Sequence, residues 1–166
     1  MERIKTKDSR MESLIALYDI HSKYLKNAVD GISDKDSLNR LETKAVNINW
    51  IVGSLVQERF ELASNLGIEM KQNAYELFKD HKGIQDNIAY PEISSYMKDW
   101  DEITPILREL LVNVETGKLD ESFEMMPDYK MTYIELYTFM SYRESSMIGQ
   151  IALWRRLLGH KGMSYM

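Results

Sequence analysis

Apolar side chains recur at three- and four-residue intervals through four long stretches of this chain, and that spacing, which stacks them on one face of a helix, most narrows its fold. The first stretch, about Ser9 to Asp30, aligns Leu14, Leu17, His21, Leu25 and Ala28 before Gly31 stops it. The second begins near Asp36, the expected N-cap, and carries Leu41, Ala45, Ile48, Val52, Leu55, Leu62 and Leu66 inward as far as Gly67. Tyr90-Pro91 introduces the third, with Ile93, Met97, Trp100, Ile103, Leu107, Leu110, Leu111 and Val114 at helical intervals. Pro105 lies inside it and removes an amide donor, so a bend near Asp101 to Thr104, or a break, is expected. The fourth runs from Thr132 to Leu158, with Leu136, Met140, Met147, Ile151, Trp154 and Leu158 inward and Gly159 as its cap.

Between the second and third stretches the pattern weakens from Ile68 to Pro91, with room for a short helix over Ala74 to Lys79. Glu115 to Lys130, holding Gly117, Pro127 and five carboxylates, reads as a mobile connection. Strand alternation is scarce. The expected class is therefore all-α: an antiparallel four-helix bundle with a long crossover between helices 2 and 3, built as a single domain over residues 1–166. Methionines and aromatics at helical spacing read as packing residues, among them Tyr18, Tyr24, Tyr133 and Tyr137; Met125-Met126 falls to the same reading.

Composition narrows the function classes. Of 166 residues, 26 are acidic and 21 basic, and a formal charge of −5 opposes general attraction to nucleic acid. Arg155, Arg156 and Lys161 are the best candidate for a basic patch, and their plainer reading is that cations favour a helix C-terminus. There is no cysteine, so no disulfide, thiolate nucleophile or cysteine-zinc site enters. The first ten residues carry charges where a signal peptide is apolar, and no apolar run approaches membrane-spanning length. A cytoplasmic protein with no nucleic-acid or membrane partner is expected. No nucleophile elbow, ordered triad or phosphate-binding glycine loop is present.

Two segments carry a family resemblance: Asn49-Trp50-Ile51-Val52-Gly53-Ser54-Leu55 and Arg143-Glu144-Ser145-Ser146-Met147-Ile148-Gly149-Gln150. With Leu66-Gly67, Tyr90-Pro91 and Arg155-Arg156-Leu157-Leu158-Gly159 in support, the chain resembles the DinB-like four-helix-bundle proteins over nearly its whole length. The resemblance implies homodimers and a divalent metal held by three histidines, one after the second-helix glycine and two before the Gly-Gln pair. Here those positions are Ser54, Arg143 and Met147, and none is histidine. A hydroxyl is a feeble ligand, a thioether suits soft Cu(I), and a guanidinium repels a cation. An empty metal site and no cofactor are expected. His21, His81 and His160 show no ligand spacing, and His21 reads as a hydrogen-bonded core residue.

An arginine turned into a bundle must find an anion. Arg143 either pairs with a carboxylate such as Glu58 and plugs the vacated cavity, or holds the carboxylate or phosphate of a small molecule beside Trp50, Tyr142 and Met147. Gly53 and Gly149 each cost about 1 kcal/mol against alanine within a helix, and close approach of helices 2 and 4, or of two subunits, is the expected compensation. The leading reading is a metal-free DinB-like module that binds a small molecule, an anion where Arg143 holds it, or a protein partner. The alternatives are a thiol-dependent transferase or hydrolase, acting without metal or through an unrecognised site with Glu58 or Glu144 as base, and a purely assembling homodimer.

Overall fold

The computed structural model describes residues 5–166; of the charged opening residues discussed above, 1–4 lie outside this range. Four helices of 18 residues or more carry the fold: α1 Met11–Val29, α3 Ile48–Asn65, α5 Ile93–Val112 and α7 Tyr133–Leu157. The connections contain α2 Asp34–Leu38, α4 Tyr75–Phe78 with a following 3-10 turn Lys79–His81, α6 Thr116–Asp120, and two strands, β1 Ser122–Met126 and β2 Tyr129–Thr132. The chain is thus mostly helical with one small sheet. Among the described residues no helix is long and apolar enough to cross a membrane.

Chain directions follow from who meets whom. Asp19 pairs with Arg108 and Lys26 with Asp101, so α1 and α5 run antiparallel. Gly53 lies against Tyr96 and Arg59 reaches Thr104, so α3 and α5 run parallel. His21 touches Glu144 and Arg155 bonds the Ala28 carbonyl, so α1 and α7 are parallel as well. Not every neighbouring pair is antiparallel, as the sequence led one to expect. Parallel α3 and α5 require a connection that travels back along their length, and residues 66–92 supply it. This crossover is pinned: Gln72 Nε2 donates to Gly53 O (3.2 Å) and Gln57 Oε1 (2.9 Å), and Asp99 accepts from Asn73 N (2.7 Å) and Nδ2 (2.6 Å).

The second helix departs most from its sequence pattern. The pattern runs on from Asp36, yet α2 stops at Leu38, and Leu41 and Glu42 adopt positive φ (48° and 57°). Asp36 lies inside α2, which Ser33 caps, and the long helix starts at Ile48 because the Asn47 side chain accepts from Trp50 N. Local polar bonds outcompete helix between them: Asn39 Oδ1 accepts from Leu41 N (2.8 Å), and Arg40 Nε donates to Ala45 O (2.7 Å). Leu41 and Ala45 are consequently exposed rather than inward. From Ile51 to Phe60, by contrast, every residue of α3 is buried, which makes it the central helix.

Pro105 does not break α5, which passes through it unbroken. The proline is exposed, so the carbonyl it leaves without a donor faces solvent. Residues 115–130 are structured rather than an open connection. After α6, β1 and β2 pair antiparallel with Phe123 opposite Met131, turning at Pro127 and at Asp128 with φ 65°. Met125 and Met126 sit exposed on β1, outside the core. A capping box closes the start of α7, Thr132 Oγ1 accepting from Glu135 N while Glu135 Oε2 accepts from Thr132 N.

The basic cluster does serve a helix C-terminus, but through Arg155 it serves that of α1. Its Nη1 donates to the carbonyls of Ala28 (2.6 Å) and Asp30 (2.9 Å), and its Nε to Lys161 O (2.8 Å). The two helical glycines also separate. A Cβ on Gly53 would lie 2.9 Å from the Tyr96 ring and closer still to Phe78, so this glycine admits the crossover and α5, not α7. Gly149 is exposed, and among the described residues nothing packs where its Cβ would be.

Candidate functional site

Arg59 is fully buried in the middle of the four long helices. Its Nε and Nη2 donate to Glu144 Oε1 (2.6 Å) and Oε2 (3.0 Å), a two-pronged pair between α3 and α7. Nη1 donates to Ser22 Oγ on α1 (2.9 Å) and Thr104 Oγ1 on α5 (2.8 Å). The guanidinium is stacked between the rings of Tyr18 and Trp100, 4.0 and 3.5 Å from their centroids. His21 is buried in the core as its sequence position suggested, but its Nδ1, 3.3 Å from Glu144 Oε2, makes no hydrogen bond there. Burial works against an ionised Glu144, yet Arg59 and His21 together hold its carboxyl below the usual range. Glu144 is therefore an anchored ion-pair partner, occupied on both oxygens, and is poorly placed to serve as a base.

The neighbouring residues on the same two helices form a second pair of reversed polarity. Arg143 Nε donates to Glu58 Oε1, and Arg143 Nη2 donates to Ser54 Oγ (3.3 Å). The arginine side chain is 31% exposed and the glutamate 11%, so this pair stands at the boundary of the core. Glu58 Oε2 is buried without a hydrogen-bond partner. Burial pushes its carboxyl up to about 7 from an ordinary 4.5, opposed by Arg143 and reinforced by Glu144 and Glu61.

A cleft opens beside this pair, lined by Trp50, Ser54, Glu58 and Arg143 together with Gln57, Glu61, Phe78, His81 and Lys82. The structure thus gathers four of the residues singled out from the sequence. The other two stand apart: Tyr142 is 70% exposed on the outer face of α7, and Met147, half-buried, takes a contact from Gln150 Nε2 at its sulfur (3.5 Å). His160 is remote from the cleft and meets Asp36 Oδ2 (3.0 Å). His81 and Lys82 reach the cleft from the crossover, and neither their spacing nor their charge marks them in the sequence.

A divalent metal does not fit this donor set. The position between α3 and α7 is filled by a guanidinium already bonded to Ser54 and Glu58, a cation where a ligand lone pair is needed. Among the described residues no three His, Asp or Glu side chains gather in a way that could hold an ion. No family model, curated protein or solved structure matches this chain.

The raised carboxyl of Glu58 makes a pH prediction. Folded protein holds that proton more tightly than unfolded protein, so stability is fully present below about pH 4.5 and is lost as pH rises through about 7. Urea unfolding of Glu58→Gln across this range should remove the loss, gaining on wild type by on the order of 3 kcal/mol between the two limits. Parallel stability curves for the two proteins would contradict the assignment.

Proposed function

We propose that this chain is a four-helix bundle of the DinB-like type that has exchanged divalent-metal chemistry for non-catalytic binding of a small anion. The observation that carries the reading is Arg143: at the position where the resemblance expects a ligand histidine, it is bonded to Ser54 and to Glu58, and it lines an open cleft. Met147 follows it by one helical turn on the same helix. The cleft offers anion-binding groups in the Arg143 and Lys82 cations and in Trp50, whose indole N–H is buried without an acceptor. Glu58 and Glu61 oppose a highly charged guest, which favours a carboxylate or a phosphate monoanion.

Equilibrium dialysis tests both halves. Wild-type protein, free of any histidine tag, should retain inorganic phosphate and no stoichiometric zinc. Restoring the three histidines together, Ser54→His, Arg143→His and Met147→His, should create a site holding one equivalent of zinc. A wild type that holds one tight zinc, or a triple variant that holds none, would overturn the family-type geometry.

One observation favours assembly as a second role. Phe139, Tyr142, Leu153 and Leu157 are exposed along the outward face of α7, at 44, 70, 59 and 58%, and Gly149 lies among them with open space at its α-carbon. A second copy of the chain is the occupant we propose, in keeping with the homodimers that the resemblance implies. For an isolated subunit, Gly149→Ala should raise stability by about 1 kcal/mol through helix propensity alone. With a partner helix packed there, the same substitution should instead weaken association, read by light scattering on dilution. A wild-type protein that is monomeric at all concentrations would refute the assembly.

A further inference from the structure

A second, smaller cleft lies on the other side of Glu58, where α1, α3, α5 and α7 converge. Its walls are apolar: Met11 and Leu14 from α1, Leu62 from α3, Leu111 from α5 and Met140 from α7. Three polar atoms on this lining are buried with no hydrogen-bond partner: Glu58 Oε2, the Tyr137 hydroxyl and Ser141 Oγ. Glu58 is 9% exposed and Tyr137 4%. Unmet polar groups at such depth are uncommon in folded proteins and each costs stability, so three on one lining point to a guest that meets them.

The charges around the cleft indicate the sign of that guest. Three carboxylates, Glu58, Glu61 and Glu144, lie close enough to act on one another, and two guanidinium groups, Arg59 and Arg143, answer them. Glu144 has both oxygens bonded to Arg59, and Arg143 takes only one oxygen of Glu58. Glu61, the carboxylate left without an arginine, lines the outer cleft, whereas the oxygen that Arg143 leaves free on Glu58 is on the wall of this one. We propose that this inner cleft binds a primary alkylammonium, its chain against the apolar wall and its ammonium donating to Glu58 Oε2, Ser141 Oγ and the Tyr137 hydroxyl. An ammonium carries three N–H donors and no acceptor, which matches three oxygens that accept. The guest is distinct from the anion of the outer cleft, and the two clefts share only Glu58 among their lining residues.

Calorimetric titration with hexylamine and with its neutral counterpart 1-hexanol, at about pH 8.5, tests the assignment. Wild type should bind the amine at least about tenfold more tightly than the alcohol, the scale of one charge-assisted hydrogen bond. Glu58→Gln should weaken the amine by about tenfold and leave the alcohol unchanged, and Ser141→Ala, a milder variant on a different helix, should weaken the amine severalfold. Equal binding of alcohol and amine, no binding of the amine, or an amine affinity that survives both substitutions would overturn it. Phosphate retention in the outer cleft is a separate readout, so failure here leaves that result standing and the reverse.

Discussion

The fold hangs on one buried ion pair. Arg59 on α3 and Glu144 on α7 meet through two hydrogen bonds at no measurable exposure of the arginine, with α1 contributing Ser22, Tyr18 and His21 and α5 contributing Thr104 and Trp100. Removing two charges from water costs several kcal/mol per ion, so such a pair persists only when its remaining hydrogen bonds are met. Here the guanidinium's other donors reach two hydroxyls and its faces lie on two aromatic rings. Each of the four long helices therefore holds part of the same cation. A shift of any one by a residue would leave a charge or a donor unmet, which makes the pair a device for register as much as for stability.

The position of the outer cleft follows from that register. Residues 58 and 59 on one helix and 143 and 144 on the other alternate in charge in opposite order, so once Arg59 and Glu144 turn inward, Glu58 and Arg143 face one another one step further out. Two glutamates of the same chemical kind then acquire opposite character. Glu144, met on both oxygens, is held below the usual range, whereas Glu58, buried and met on one, is raised. The raised group is the one with a free oxygen and a cleft on either side; the ammonium reading rests on it, whereas the anion reading rests on the Arg143 that it holds.

The four long helices were legible in the sequence because their apolar spacing is dense, and their ends at Gly31, Gly67 and Gly159 coincide with glycines at positive φ. The pairing of Arg143 with Glu58 was legible too, as one of two readings of an arginine placed where the helix turns inward. The Arg59 knot was not drawn from the sequence, although its signal is there. Position 59 lies four residues after Leu55, seven after Val52 and three before Leu62, squarely on the apolar stripe of α3, and Glu144 fills the corresponding gap between Met140 and Met147 or Ile148 on α7. Charged residues interrupting two facing stripes can meet, but which stripes face is a tertiary fact. The hairpin escaped for a different reason: its strands are short and hold exposed methionines, so no alternation marks them, and the turn depends on Asp128 adopting a left-handed conformation. The extension of helix 2 to Asp36 failed because side-chain bonds from Asn39, Arg40 and Asn47 decide where a helix starts, against an apolar spacing that continues past them.

A double-mutant cycle between Arg59 and Glu144, measured by urea unfolding, tests the central claim most directly. With Arg59→Met and Glu144→Leu, each single substitution should cost about 3–5 kcal/mol by stranding the partner charge, and the double variant should cost no more than either, a coupling of at least about 3 kcal/mol. Additive losses would show that the two side chains act independently and that the four helices are held in register by something else.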